Sequence, residues 1–157
     1  MPFRPLQLPA EVSGRLWLDA MPGRLAPWHA FLVEARENGL TQLVCLTPLP
    51  ELTSLSPAYA EALERGLPFA WRHLPMRDFG TAFDASAFRD AVDAIATGLR
   101  GGERTLLHCA AGIGRTGSVA ACVLKRLGAS TPQALQRVRE AGSNPQSAAQ
   151  SGLIEMF

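Results

Sequence analysis

The apolar positions along this chain fall into two alternating patterns. Arg15-Leu16-Trp17-Leu18, Thr41-Gln42-Leu43-Val44-Cys45-Leu46, Phe69-Ala70-Trp71-Arg72-His73-Leu74 and residues 104–108 are short apolar-rich runs bounded by turn-forming residues. They read as strands, the second of them as a buried parallel strand. Between them the spacing becomes helical. Pro27 opens a helix to about Asn38-Gly39, with Phe31, Leu32 and Ala35 on its apolar face. Ser56 with Pro57 caps a second helix through Arg65, stopped by Gly66 and Pro68. Asp84 caps a long third one to about Arg100, whose stripe is Phe88, Ala91, Val92, Ile95 and Leu99. The helix predicted over 116–127 is apolar nearly all round until Lys125, which predicts a central, buried position. Thr131-Pro132 and Asn144-Pro145 open two closing helices. The proline-rich residues 1–13 read as an irregular lead-in, the turn at Met21-Pro22-Gly23 closes the first strand, and 47–55 and 75–81 read as loops.

Strands alternating with helices predict an α/β fold: a mainly parallel central sheet flanked by helices. The 157 residues fit a single domain spanning 1–157, with no internal repeat or low-complexity linker. With 47% hydrophobic and 18% charged residues, the chain is expected to be globular. A net charge of +1 speaks against a dedicated nucleic-acid binder. No apolar run approaches a membrane span. The start, Met1-Pro2-Phe3-Arg4-Pro5, lacks the long apolar stretch of a signal peptide. Three cysteines make no disulfide framework. These features together predict a soluble, cytoplasmic protein.

Ligands of such sheets bind at the carboxyl ends of the strands, and the chemistry concentrates there. The run Thr105-Leu106-Leu107 leads into His108-Cys109-Ala110-Ala111-Gly112-Ile113-Gly114-Arg115-Thr116-Gly117, and a helical run follows. Ala110, Ala111, Gly112, Ile113 and Gly114, all small but Ile113, let consecutive backbone N–H groups curl around one point. The following helix adds its unpaired N–H groups and the positive end of its dipole. The product is an anion cradle of about phosphate size. Cys109 lies at its floor, and Arg115 is placed to fold back and grip two phosphate oxygens as a fork. The loop does not fit the G-x-x-x-x-G-K-[ST] nucleotide loop, because it holds no lysine.

This stretch resembles the cysteine-dependent protein tyrosine phosphatase signature, H-C-x-x-x-x-x-R-[ST]-G, at every fixed position. Met76-Arg77-Asp78-Phe79-Gly80-Thr81 resembles the acid loop of dual-specificity phosphatases, above all the cyclin-dependent-kinase-associated phosphatase group, with its Pro-x-x-Asp-x-Gly-Thr-Pro. Pro75, Asp78, Gly80 and Thr81 match, and Ala82 replaces the last proline. Leu18 to Gly23 is similar to the entry strand of that group, and Thr131 onward through Gln146, Gln150 and Leu153 to its closing helices. The resemblance implies the compact dual-specificity phosphatase fold and hydrolysis of phosphomonoesters through a phosphocysteine. Cys109 would be the nucleophile, Arg115 the phosphate clamp and Asp78 the acid that protonates the leaving oxygen and then serves as base. Asp84 is the rival acid, with a helix N-cap as its plainer role.

His108 is expected to point to the other side of the strand and brace the loop backbone, and Thr116 to donate a hydrogen bond to the cysteine sulfur or to cap the helix. His29 and His73 show no partners in sequence, Trp17 and Trp71 read as core, and Arg72 and Arg77 flank the acid loop. Cys45, near a strand end, is a candidate redox partner for Cys109 if the two strands are adjacent. Its alternative is a small core residue, and Cys122 is the poorer partner. No H-E-x-x-H or C-x-x-C spacing occurs, and neither a metal nor a cofactor is expected. The expected substrate is a phosphorylated protein bearing phosphotyrosine, with phosphoserine and phosphothreonine as further candidates. The alternatives are a small phosphometabolite, a phosphoinositide, or a weakly catalytic phosphate-binding module. Ala110, Ala111 and Ile113 stand where inositide phosphatases often carry lysines, which speaks against a highly phosphorylated inositol.

Overall fold

The computed structural model describes residues 2–77 and 84–157. Its sheet has five strands: β1 (Arg4–Leu6), β2 (Arg15–Asp19), β3 (Gln42–Cys45), β4 (Ala70–His73) and β5 (Arg104–His108). Their order is β1-β2-β5-β3-β4. β2, β5, β3 and β4 run parallel, and β1 pairs antiparallel with β2. The helices are α1 (Trp28–Glu37), α2 (Leu49–Leu55), α3 (Pro57–Arg65), α4 (Ala85–Arg100), α5 (Gly114–Arg126), α6 (Thr131–Glu140) and α7 (Ala148–Glu155).

Two elements correct the sequence reading. Residues 4–6, expected in an irregular lead-in, form an edge strand; Pro5 is tolerated because an edge strand leaves one side of its ladder unused. Residues 49–55, expected as a loop, hold a short helix whose first turn contains Pro50, a position where the missing N–H costs nothing.

The side-chain alternation of the strands sorts the core onto two faces. Leu16, Leu18, Val44, Leu46 and Leu107 join α4, α5, α6 and α7 on one face. Trp17, Leu43, Cys45 and Leu106 join α1, α2 and α3 on the other. α4 lays Phe88, Val92, Ile95 and Leu99 on the first face, each 0–1% exposed. Deleting one such side chain costs roughly 2–5 kcal/mol. Asp84 caps α4, accepting from the Ser86 and Ala87 N–H groups at 2.9 and 3.1 Å. α5 is buried from Gly114 through Leu124. The central strand β5 and the central helix α5 therefore meet at the loop between them, and everything packed around that pair fixes the loop. Among the described residues no helix is long and apolar enough to cross a membrane.

Candidate active site

The loop between β5 and α5 turns the carbonyls of Cys109, Ala110, Gly112 and Ile113 outward onto partners. Cys109 O faces His108 Nδ1 at 3.0 Å. Ala110 O accepts from the Met21 N–H at 3.1 Å and from Arg24 Nη1 at 3.0 Å. Gly112 O accepts from Arg4 Nη2 and Ser143 Oγ, both at 2.6 Å. Ile113 O accepts from the Gly117 and Asn144 N–H groups at 2.9 and 3.1 Å. A trans peptide points its N–H opposite to its C=O, so the N–H groups of this loop turn toward the interior of the curl. Gly112 sits at φ +75°, and a Cβ there would lie 2.3 Å from Asp19 O. Only glycine fits, because the loop backbone is pressed against the end of β2.

Cys109 is 2% exposed. Its Sγ accepts from the Gly112 N–H at 3.2 Å and from Thr116 Oγ1 at 3.0 Å. His108 is fully buried on the opposite face of β5, with Nε2 2.8 Å from Tyr59 Oη. Trp71 Nε1 donates to that same Tyr59 oxygen at 2.9 Å. A phenol accepting from the indole gives its proton to Nε2, which leaves Nδ1–H to donate to Cys109 O. Burial pushes the His108 imidazole down to about 4, so it stays neutral and acts as a brace.

Arg115 is 2% exposed. Its Nη1 and Nη2 bond Glu51 Oε1 and Oε2 at 3.0 and 2.7 Å, and Nη1 also donates to Met76 O at 3.1 Å. A planar guanidinium held by a carboxylate fork has its orientation fixed. Glu51 lies on α2 and was not legible in the sequence, because nothing in residues 47–55 marked a helix facing the loop. Gln146 and Gln150 stand in sequence only as parts of the closing segment. A Cβ on Gly114 would meet Gln146 Oε1 at 2.6 Å and Gln150 Oε1 at 3.1 Å, so both amides lie against the loop. Gln150 is fully buried and its Nε2 has no hydrogen-bond partner among the described residues. Among those residues, no group of three or more His, Cys, Asp or Glu side chains is placed to share a metal ion.

Asp78, the expected acid, lies outside the described residues. Asp84 is engaged as the α4 cap. His29 is exposed, whereas His73 Nε2 contacts Thr47 O at 2.7 Å. Cys45 requires a correction. β3 and β5 are adjacent and parallel, but Cys45 pairs in register with His108 rather than Cys109. A shift of one residue reverses the face. The Cys45 thiol therefore lies with Thr47, its Sγ 3.2 Å from Thr47 Oγ1, on the face away from Cys109. Burial pushes that thiol up, which disfavours the reactive thiolate.

A model of the family described as "Polymorphic toxin system, DSP-PTPase phosphatase" matches residues 20–129. No curated protein sequence is significantly similar to the chain. Among solved structures, a kinase associated phosphatase with serine at its catalytic-site cysteine superposes with a TM-score of 0.83 at 23% identity, over 100% of this chain and 94% of that one. The active form of Tk-PTP gives 0.70 at 25% identity, over 94% and 95%. The human tyrosine phosphatase-like serine/threonine/tyrosine-interacting protein gives 0.69 at 20% identity, over 90% and 89%.

Proposed function

The chain belongs to the polymorphic-toxin-system DSP-PTPase phosphatase family, a family of cysteine-based phosphatases, and we propose that Cys109 is its nucleophile and that it hydrolyses phosphomonoesters on protein side chains, phosphotyrosine first. The observation that carries this reading is the set of outward-bonded carbonyls around Cys109 Sγ. It turns the loop N–H groups inward toward the sulfur, and at the end of the loop Arg115 has its guanidinium held in one orientation.

In the first step Cys109 sulfur attacks phosphorus as a thiolate and the P–O bond to the leaving group breaks. Asp78 gives its proton to the leaving oxygen. The loop N–H groups and Arg115 stabilise the equatorial oxygens of the transferring phosphoryl group. In the second step water attacks the phosphocysteine, Asp78 takes its proton, and the S–P bond breaks. The Thr116 hydroxyl, 3.0 Å from the sulfur, stabilises the thiolate as it leaves. The Gln146 and Gln150 amides, pressed against Gly114, are the groups that hold the attacking water; the unpartnered, buried Gln150 Nε2 is the donor for it. The acid role rests on the match of Pro75, Asp78, Gly80 and Thr81 to the acid-loop pattern.

Steady-state turnover of p-nitrophenyl phosphate and of a phosphotyrosine peptide tests the assignment. Cys109→Ser is expected to abolish turnover of both while inorganic phosphate still binds. Asp78→Asn is expected to lower kcat by roughly 10²–10⁴-fold on the phosphopeptide and by less on p-nitrophenyl phosphate, whose leaving group needs less help. Substantial turnover by Cys109→Ser rules out the nucleophile. If Asp84→Asn shows the leaving-group pattern and Asp78→Asn does not, the acid is Asp84.

A further inference from the structure

We propose that Arg4 and Ser143, which lie outside the segment matched by the family model, are positioning residues that hold the Gly112–Ile113 peptide in its phosphate-binding orientation. The inference rests on the reading of the Cys109 loop as a phosphate cradle.

Gly112 is the weak point of that loop. Its φ of +75° is a conformation few other residues adopt, and with no Cβ its flanking peptides turn at little steric cost. Rotation of the Gly112–Ile113 peptide would carry the Gly112 carbonyl into the cradle and the Ile113 N–H out of it. One donor would be lost, and the negative end of a peptide dipole would face the phosphate. Two groups oppose this. Arg4 Nη2 and Ser143 Oγ both donate to Gly112 O at 2.6 Å. Each is in turn fixed. Arg4 Nη1 donates to Ala141 O at 2.7 Å and to Ser143 Oγ at 3.1 Å, so the serine hydroxyl accepts from the arginine and spends its own proton on the loop. Ser143 is 2% exposed, held at the end of α6 by its N–H bond to Val138 O at 3.0 Å. Arg4 projects from β1, whose register sets it opposite Leu18, one residue before the Asp19 that touches Gly112. Its charge also faces Asp19 and Cys109. A charge-assisted bond is roughly twice as strong as a neutral one, and here it is aimed at a peptide that Gly112 leaves easy to turn.

The edge strand thus has a function that its length of three residues conceals. It delivers a cation to the back of the cradle, and the α6–α7 connection delivers the hydroxyl that shares the load.

The test is isothermal titration of inorganic orthophosphate into Cys109→Ser protein, alone and combined with Arg4→Met, Arg4→Lys or Ser143→Ala, with Tm measured for each. Arg4→Met is expected to raise the phosphate Kd by at least about tenfold, as loss of a hydrogen bond to a charged group does. Ser143→Ala should raise it several-fold. Arg4→Lys should fall between wild type and Arg4→Met, since an ammonium keeps the charge but cannot span Gly112 O, Ala141 O and Ser143 Oγ together. A role in stability alone would lower Tm and leave the Kd of the folded protein unchanged. Folded Ser143→Ala and Arg4 variants that bind phosphate like their parent overturn the inference and leave the cradle reading intact. If Arg4→Met does not fold, Ser143→Ala and Arg4→Lys decide in the same way. Failure of Cys109→Ser itself to bind phosphate overturns the cradle reading, and this inference with it.

Discussion

Arg115 carries its charge into the interior at 2% exposure, and a buried cation is costly unless it is paired. Glu51 supplies the pair from α2 while remaining 27% exposed itself, so it loses less hydration than its partner. The arrangement predicts that Glu51→Gln lowers kcat/KM for p-nitrophenyl phosphate by about ten- to a hundredfold, as loss of a charged hydrogen-bond partner does. Because Arg115 serves both the bound phosphate and the transferring phosphoryl group, a raised KM and a lowered kcat are both expected, and the split is read directly from saturation curves. Wild-type kcat and KM together would show that the guanidinium keeps its orientation without Glu51. The sequence displayed Cys109, Arg115 and the loop between them because these are contiguous, and their spacing is itself the chemistry. Glu51, Arg4, Ser143 and Tyr59 left no comparable mark. Each acts through one side chain brought from a distant element, and a lone Glu, Arg, Ser or Tyr in sequence is more often surface or core.

Register decides more at the level of elements than composition does. β3 and β5 are neighbours, the condition on which a Cys45–Cys109 pair rests, yet Cys45 pairs with His108 and Leu46 N–H bonds His108 O at 3.0 Å. One step along β3 places Leu46 with Cys109 on the α5 face and sends Cys45 to the α3 face. Such a single-residue offset cannot be read from two apolar runs, because both run the same way at either register. After mild peroxide, peptide mapping should therefore find no Cys45–Cys109 disulfide, and Cys45→Ser should recover as much activity on thiol treatment as wild type does. A linked Cys45–Cys109 peptide would require the end of β3 to rearrange on oxidation. β1 and α2 were missed for a related reason. Both are short and contain proline, so local propensity is nearly silent, and pairing with β2 and the contact with Arg115 decide them. The long periodic elements, α4 above all, were legible because Phe88, Val92, Ile95 and Leu99 repeat over several turns.

Taken as one folded unit, the molecule hangs its loop on a hydrogen-bonded line that crosses the sheet. Trp71 on β4 donates to Tyr59 on α3, Tyr59 to His108 on β5, and His108 to the carbonyl of Cys109. That line requires a neutral imidazole, because Nε2 must accept. Burial is the main reason the folded His108 holds its proton only below about 4, against 6.5 when unhindered; the bond to the Cys109 carbonyl and, after it, the Asp19 charge work the other way. Between those values the unfolded chain binds a proton at this position that the folded protein refuses. With more protons on the unfolded state, stability rises with pH. The contribution is therefore complete above about pH 6.5 and is lost as the pH falls toward 4. At pH 5 the loss is on the order of 2 kcal/mol. Asp19, whose carboxyl burial raises, contributes with the opposite sign as the pH passes through its raised range, so the histidine is best isolated by difference. Urea unfolding of wild type and His108→Gln at pH 7.5 and pH 5.0 makes that difference measurable. Wild type should lose about 2 kcal/mol more than the variant between the two conditions. Equal losses would mean that His108 takes up a proton as readily in the folded protein as in the unfolded one, and the line from Trp71 to the Cys109 carbonyl would then not depend on a neutral ring.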